Sequence, residues 1–433
     1  MLGANMKVRV STIVYYIFIL LLFINLGINY AVGIGFDTRY VRLFTATLGL
    51  GVTIFLTLFE GYRNSVSRGK FQFIFACYLF LFISIELFST INRYDQTLFW
   101  TYYELCTIVM SVWFYPLFYV LESERVSFLT ILEVITTLTI ISYLLRVLSH
   151  VSMLLTGNYF MQGLVFEYGK PGIRNGFYRI QQPCLSSIFM PIAIYLFFVI
   201  ESKTKKMWYL FGVVIAIVFT FSINQSRSIM IYQIIIVVSM FLFKNRTPGK
   251  KLLVWYVVII GVIALSQSPV MKIISEFLYT FNSNSEYGKS TIIRIDTLNY
   301  YMQLFRDNLV VGMGALNIGT NGAFSILRGT NGTAYLDDIG LLATVIRYGL
   351  LGILLHIIVF GNAVYTIIKF PNTESDFGQK VDKLLLVHLL LSVLMWGINI
   401  DCYFQAVSFG MPIFIAIFEY YKFISLNKQA VMH

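Results

Sequence analysis

Apolar runs of roughly 16 to 24 residues recur along the chain at about 10–31, 41–59, 71–90, 98–121, 127–149, 184–200, 207–223, 228–243, 252–266, 349–368, 384–400 and 404–424. A helix rises about 1.5 Å per residue, so each run can cross a hydrocarbon core about 30 Å thick. The pattern predicts an all-α, polytopic integral membrane protein with about 12 transmembrane helices, built as a single transmembrane domain over residues 1–433. Polar positions away from the span ends collect in two larger loops, at about 150–183 and 267–336. The second is a long polar insert carrying Lys289, Arg294, Arg306 and Arg328.

Composition supports the membrane reading, since 58% of residues are hydrophobic and only 12% charged. The net charge of +11 changes the picture less than its size implies. Basic residues stay on the cytoplasmic side of short connections. With the spans above, Lys7 and Arg9, Arg63, Arg68 and Lys70, Arg125, Lys203, Lys205 and Lys206, Lys244, Arg246, Lys250 and Lys251, Lys369, Lys380 and Lys383, and Lys422 and Lys428 all fall on one side. The short connections opposite hold only Arg39, Arg42, Arg93 and Arg227. Both termini are therefore expected in the cytoplasm and both large loops outside it. The charge is a topology signal, and no basic stripe or soluble domain presents it to nucleic acid. The first apolar run is too long for a signal-peptide core and no Ala-x-Ala-like site follows, so it is expected to stay as an anchor.

Several chemistries lack their residues. Cys77, Cys106, Cys184 and Cys402 show no paired spacing, and His150, His356, His388 and His433 are scattered, so neither a disulfide framework nor a metal site is expected. No phosphate-binding GxxxxGK[ST] loop is present, no internal repeat is evident, and no cofactor is expected.

The candidate chemistry lies in the polar loops. The first holds Arg174, Tyr178, Arg179, Gln181 and Gln182 among several glycines. Guanidinium forks match phosphate oxygens and aromatic rings stack on sugar C–H faces, so this mixture suits a phosphorylated sugar; contact with lipid headgroups is the plainer alternative. In the second loop Ile292, Ile295, Leu298, Met302 and Phe305 recur at helical spacing. They predict an amphipathic helix near 291–306 lying on the membrane, with Arg294 near its start, where free backbone N–H groups could meet an anion, and Arg306 near its end. Arg227, in a very short connection, needs a partner such as Glu86, Glu104, a lipid phosphate or a substrate diphosphate. Asp337 and Asp338 stand together before the next span, where an Asp could take a proton from a sugar hydroxyl or simply cap the following helix and pair with Arg.

Four segments in order resemble the Wzy-type O-antigen and capsular polysaccharide polymerases and the related O-antigen ligases: Arg179-Ile180-Gln181-Gln182-Pro183; Ser222-Ile223-Asn224-Gln225-Ser226-Arg227-Ser228; Arg294 through Phe305 to Gly312-Met313-Gly314; and Asp337-Asp338 followed by Arg347-Tyr348-Gly349-Leu350-Leu351-Gly352. The resemblance covers about residues 170 to 360. It implies an inverting, metal-independent membrane glycosyltransferase that joins undecaprenyl-diphosphate-linked oligosaccharide repeat units at the outer face of the plasma membrane of a bacterium. Arg179, Arg227, Arg294 and Arg174 would contact the diphosphate, and Asp338 with Arg294 would be catalytic. A chain-length regulator and a flippase are the partners it implies. The ligases commonly carry a His-Asn pair at the place of Asp338-Ile339, which is missing here. A lipid-linked oligosaccharide flippase and an O-antigen ligase are the competing readings.

Overall fold

In hydrocarbon every backbone N–H and C=O has to be satisfied within its own segment, which is why the apolar runs fold as helices. A computed structural model describes residues 2–59, 70–123, 125–161, 173–174, 177–244, 286–329, 332, 334–370, 373–374, 380–398, 400–403 and 408–432. Its helices are α1 (Leu2–Asn25), α2 (Thr38–Phe59), α3 (Lys70–Tyr94), α4 (Leu98–Val109), α5 (Phe114–Glu122), α6 (Phe128–Thr156), α7 (Ser186–Val199), α8 (Lys203–Phe219), α9 (Arg227–Lys244), α10 (Glu286–Arg306), α11 (Ala323–Arg328), α12 (Leu342–Lys369), α13 (Lys383–Gly397) and α14 (Gly410–Met432). Two-residue antiparallel pairs join Ile173–Arg174 to Phe177–Tyr178 and Thr373–Glu374 to Lys380–Val381.

Among the described residues, six segments are long and apolar enough to cross a bilayer: Arg39–Leu58, Lys70–Tyr94, Leu98–Glu122, Phe128–Thr156, Lys203–Asn224 and Leu342–Lys369. Val10–Asn25, Ser186–Val199, Ser228–Lys244 and Lys383–Gly397 are apolar but shorter. The molecule is a helical membrane protein. The described residues do not reach the expected count of twelve spans. The run at 252–266 lies outside them, and the last helix begins at Gly410 and takes Glu419 and Lys422 inside it.

One segment organises the bundle. Leu98–Glu122 runs from α4 through a tight turn at Met110–Trp113 into α5, and its apolar window is buried throughout. Thr97 caps its start by accepting from Trp100 N, and Trp113 Nε1 donates to Thr45 O of α2 at 2.7 Å. Helices α1, α2, α3 and α14 pack around it. Because it is enclosed by other helices, it can carry Glu104 deep into the protein, provided that carboxylate is partnered.

The long helices alternate in direction, and this sorts the charges. Lys205 pairs with Glu133 at 2.7 Å, Lys244 with Asp382 at 3.3 Å and Lys422 with Glu419 at 3.1 Å. These pairs lie at the starts of α6, α8 and α13, at the C-terminal end of α9 and midway along α14. The opposite end is formed by the end of α3, the starts of α4 and α12 and the end of α13, and there the polar loops attach.

The segment after α10 is laid across that end by backbone bonds. Met313 N donates to Ile346 O at 3.1 Å and Gly314 N to Arg347 O at 2.7 Å, while Leu350 N bonds Leu309 O at 2.9 Å and Val310 O at 3.0 Å. This seam exists because α12 is broken at Gly349, where φ is +59° and ψ −137°. The break frees Leu350 N for the loop, and Tyr78 Oη donates to Leu351 O at 2.6 Å. A Cβ on Gly349 would lie 2.5 Å from Leu309 O and Val310 O, and one on Gly312 would lie 2.5 Å from Arg347 O. Only glycine combines this φ with so close a backbone approach. The Gly349→Ala protein, purified in detergent, is expected to lose about 2 kcal/mol or more and melt at a lower temperature. Gly361→Ala, whose added Cβ meets nothing within 4 Å inside a helix, should melt no lower than wild type. Equal melting of Gly349→Ala and wild type would contradict the seam.

Candidate functional site

The seam carries a polar network that joins the loop to α3 and α4. Arg93 Nη1 donates to Gly312 O at 2.8 Å, and Ala315 N donates to Thr90 Oγ1 at 2.9 Å. Gln96 works in both directions: its Nε2 donates to Ala315 O at 2.9 Å and its Oε1 accepts from Asn317 N at 2.8 Å. Asn317 Nδ2 then donates to Glu104 Oε1 at 2.6 Å, and the other oxygen of Glu104 meets Arg347 Nη2 at 3.1 Å. Both oxygens of the buried carboxylate are thus engaged, which such a group requires.

Above this network lies a cavity of about 220 Å³, lined by Glu104, Arg328, Asp337, Thr344, Arg347, Tyr348, Asp401 and Tyr403 together with apolar side chains. Asp401, in the connection between α13 and α14, is fixed from both sides: Thr344 Oγ1 donates to its Oδ2, and Tyr403 N to its Oδ1 at 2.9 Å. Burial pushes the Asp401 carboxyl up to about 6, against the lowering effect of its Thr344 and Tyr403 bonds and of Arg347. Asp337 is likewise pushed up to about 6, first by burial and then by the like charges of Asp401, Glu104 and Asp338, with Arg347 opposing. No side-chain hydrogen bond or ion pair holds Asp337 among the described residues. Tyr348 Oη, Tyr403 Oη and Arg347 Nε are buried without hydrogen-bond partners there.

The residues expected from sequence distribute unevenly around this cavity. Asp337 lines it; Asp338 is exposed and is not among the lining residues. Nor does Asp338 cap the next helix, because α12 starts at Leu342 with no side-chain cap. Arg294 lies on α10, which packs against the Leu336–Ile339 turn and α12. Its Nε is buried with no hydrogen-bond partner among the described residues. Helix α10 starts at Glu286, not near Thr291, so its free N–H groups lie two turns before Arg294 and not beside it. The apolar set on α10 also splits: Leu298, Met302 and Phe305 pack toward buried Tyr301, Met313 and Ile346, while Ile292 and Ile295 are exposed.

Arg179 belongs to a second cluster. Its Nε donates to Asn224 O at 2.9 Å, Asn224 Nδ2 donates to Ile180 O at 3.0 Å, and Gln182 Nε2 donates to Thr220 Oγ1 at 3.0 Å. These bonds tie Arg179–Gln182 to a widened turn at Thr220–Asn224 that ends in Gln225 with φ +54°. Beneath it Arg146 Nε donates to Gln181 O at 3.0 Å and its Nη1 to Leu26 O at 3.1 Å. Arg227 opens α9 and Arg174 sits in a short strand, but both side chains lie outside the described residues. Arg328 stacks over Tyr335, its Cζ 4.0 Å from the ring centre. Among the described residues no three His, Cys, Asp or Glu side chains gather closely enough to hold a metal ion.

Sequence reasoning missed Asp401 and took Arg347 only as part of a motif. A lone acid between two apolar runs is the signal that would have found Asp401. Comparison with known proteins finds no family model that matches the chain and no curated protein similar to it.

The raised carboxyls carry a stability consequence. An acid whose folded-state value lies above its unfolded one binds more protons when folded, so its favourable contribution is complete below about 4 and is lost as pH rises to about 6. Melting of the wild type should therefore fall across pH 4 to 6.5 more steeply than that of Asp337→Asn, with Asp337→Asn the more stable above pH 6.5. Parallel profiles would contradict the burial of this carboxyl.

Proposed function

We propose that the protein is a polysaccharide polymerase, an inverting glycosyltransferase that joins undecaprenyl-diphosphate-linked oligosaccharide repeat units into O-antigen or capsular polysaccharide at the outer face of a bacterial plasma membrane. The observation that carries this reading is the pairwise meeting of the four sequence segments at one end of the bundle, away from the Lys205–Glu133 and Lys244–Asp382 pairs. Arg179-Ile180-Gln181-Gln182 is bonded to the Thr220–Asn224 turn, Met313-Gly314 to Ile346 and Arg347, and Leu350 to Leu309 and Val310 just before the glycine turn. In this reading the chain spans the membrane about twelve times with both termini in the cytoplasm, and the outer end carries the chemistry.

The transfer breaks a bond between a sugar carbon and a lipid diphosphate, so negative charge grows on the leaving group. Fixed guanidinium groups stabilise such charge without reorganising. Arg294 suits this role because it is half-buried on a helix that packs beside the cavity, and its Nε has no hydrogen-bond partner among the described residues. Arg179, Arg227 and Arg174 are the further diphosphate contacts of this reading. The Arg179 Nε donates to Asn224 O, which fixes this side chain beside the Thr220–Asn224 turn. Partners in this reading are a chain-length regulator and the flippase that delivers repeat units.

Electrophoresis of surface and lipid-linked glycans from a deletion strain, with and without an Arg294→Ala copy, tests the reading. Exported single units that are never lengthened, and that Arg294→Ala does not restore, are expected. Units trapped on the cytoplasmic face would identify a flippase. A finished polymer that forms but never reaches its surface acceptor would identify a ligase.

A further inference from the structure

The cavity has the wrong charge for a diphosphate. Its walls carry Glu104, Asp337 and Asp401 against Arg347 and Arg328, and Arg347 is already paired with Glu104. An incoming phosphate would meet surplus carboxylate and would have to displace that pair. Ligand hydroxyls suit these walls far better, since carboxylates accept from O–H groups.

Two tyrosines point to the same ligand. Tyr348 and Tyr403 line the cavity, are 2% and 4% exposed, and keep hydroxyls without a hydrogen-bond partner among the described residues. The aromatic rings add faces for sugar C–H groups.

The two aspartates are not equivalent. Asp401 is held through both oxygens by Thr344 and Tyr403 N and serves as fixed wall. Asp337 lines the same cavity with no side-chain hydrogen bond or ion pair among the described residues, on the turn packed against the helix that carries Arg294. We propose that this cavity binds the neutral, hydroxylated end of the acceptor glycan and that Asp337, not Asp338, is the catalytic residue that takes the proton from its attacking hydroxyl. The assignment rests on the polymerase reading. In the transfer the acceptor oxygen forms a bond to the donor's anomeric carbon and its proton passes to the Asp337 carboxylate. The bond from that carbon to the lipid diphosphate breaks, and the electron pair leaves with the diphosphate. A carboxyl held near 6 is ionised at neutral pH yet more basic than an ordinary aspartate, as a proton acceptor needs.

The test complements the deletion strain with wild type, Asp337→Asn, Asp338→Asn, Asp337→Glu and Arg294→Ala, with membrane abundance measured for each. Glycan lengthening is followed at external pH 5 to 8. Asp337→Asn is expected to reduce lengthening by roughly 100-fold or more at normal abundance, and Asp338→Asn to stay within about twofold of wild type. Wild-type lengthening should fall below pH 6 as Asp337 protonates among Arg347, Asp401, Glu104, Asp338 and Arg328. Asp337→Glu should keep a residual rate with that limb displaced, which decides the matter should Asp337→Asn fail to accumulate. Full lengthening by Asp337→Asn, or an unmoved limb in Asp337→Glu, overturns the assignment; if Arg294→Ala is meanwhile inert, the polymerase reading survives it. Lengthening that persists in the deletion strain itself removes the polymerase reading and with it this role.

Discussion

The pairing of Arg347 with Glu104 is the constraint on which the rest of this end of the molecule depends. Neither charge could be left alone inside a helical bundle, where removing one partner of a buried pair typically costs about 3–5 kcal/mol. Glu104 is placed there by the enclosed Leu98–Glu122 segment and Arg347 by the first turns of α12. The pair spans 3.1 Å, and Asn317 of the loop completes the carboxylate from the other side. One interaction therefore fixes a core helix, α12 and the segment after α10 relative to one another. The cavity is the space left above it.

The glycine pair at Gly312 and Gly349 makes that arrangement geometrically possible. Without the break in α12 the loop backbone could not bond Ile346, Arg347 and Leu350, and Asn317 would not be carried to Glu104. The resulting division of charge is specific. Glu104, Asp337 and Asp401 outnumber Arg347 and Arg328 in the cavity wall, and Arg294 stands on the helix packed beside it. In the proposed reaction these serve opposite needs: stabilisation of a departing diphosphate, and reception of a proton from a neutral hydroxyl.

Much of the helical framework was legible because apolar runs are long and the bilayer demands helices. Expected runs at 71–90, 98–121 and 349–368 correspond to α3, the α4–α5 segment and the greater part of α12. Boundaries were less legible where charges interrupt the pattern, as in α14, which holds Glu419 and Lys422 in an ion pair that hydropathy alone counts against a helix. The site was legible only in outline. Arg294, Asp337 and the glycine turn stood out as polar positions in an apolar chain. The sequence resemblance points to Asp338 as the catalytic aspartate, whereas Asp337 lines the cavity, since adjacent residues in a short 3-10 turn face different directions and only packing decides which enters it. Asp401 lay hidden between two runs, since its partners Thr344 and Tyr403 are 57 and 2 positions away in the chain and hydropathy records no pairing.

The central claim is that sugar and diphosphate are held by different parts of the same end of the bundle. Cryo-electron microscopy of the protein loaded with an undecaprenyl-diphosphate-linked oligosaccharide tests it directly. The account predicts sugar density among Asp337, Asp401, Tyr348 and Tyr403, with any diphosphate on the arginine-bearing surface near Arg294. A diphosphate inside the acidic cavity, or a ligand bound at the basic end of the bundle, would contradict it.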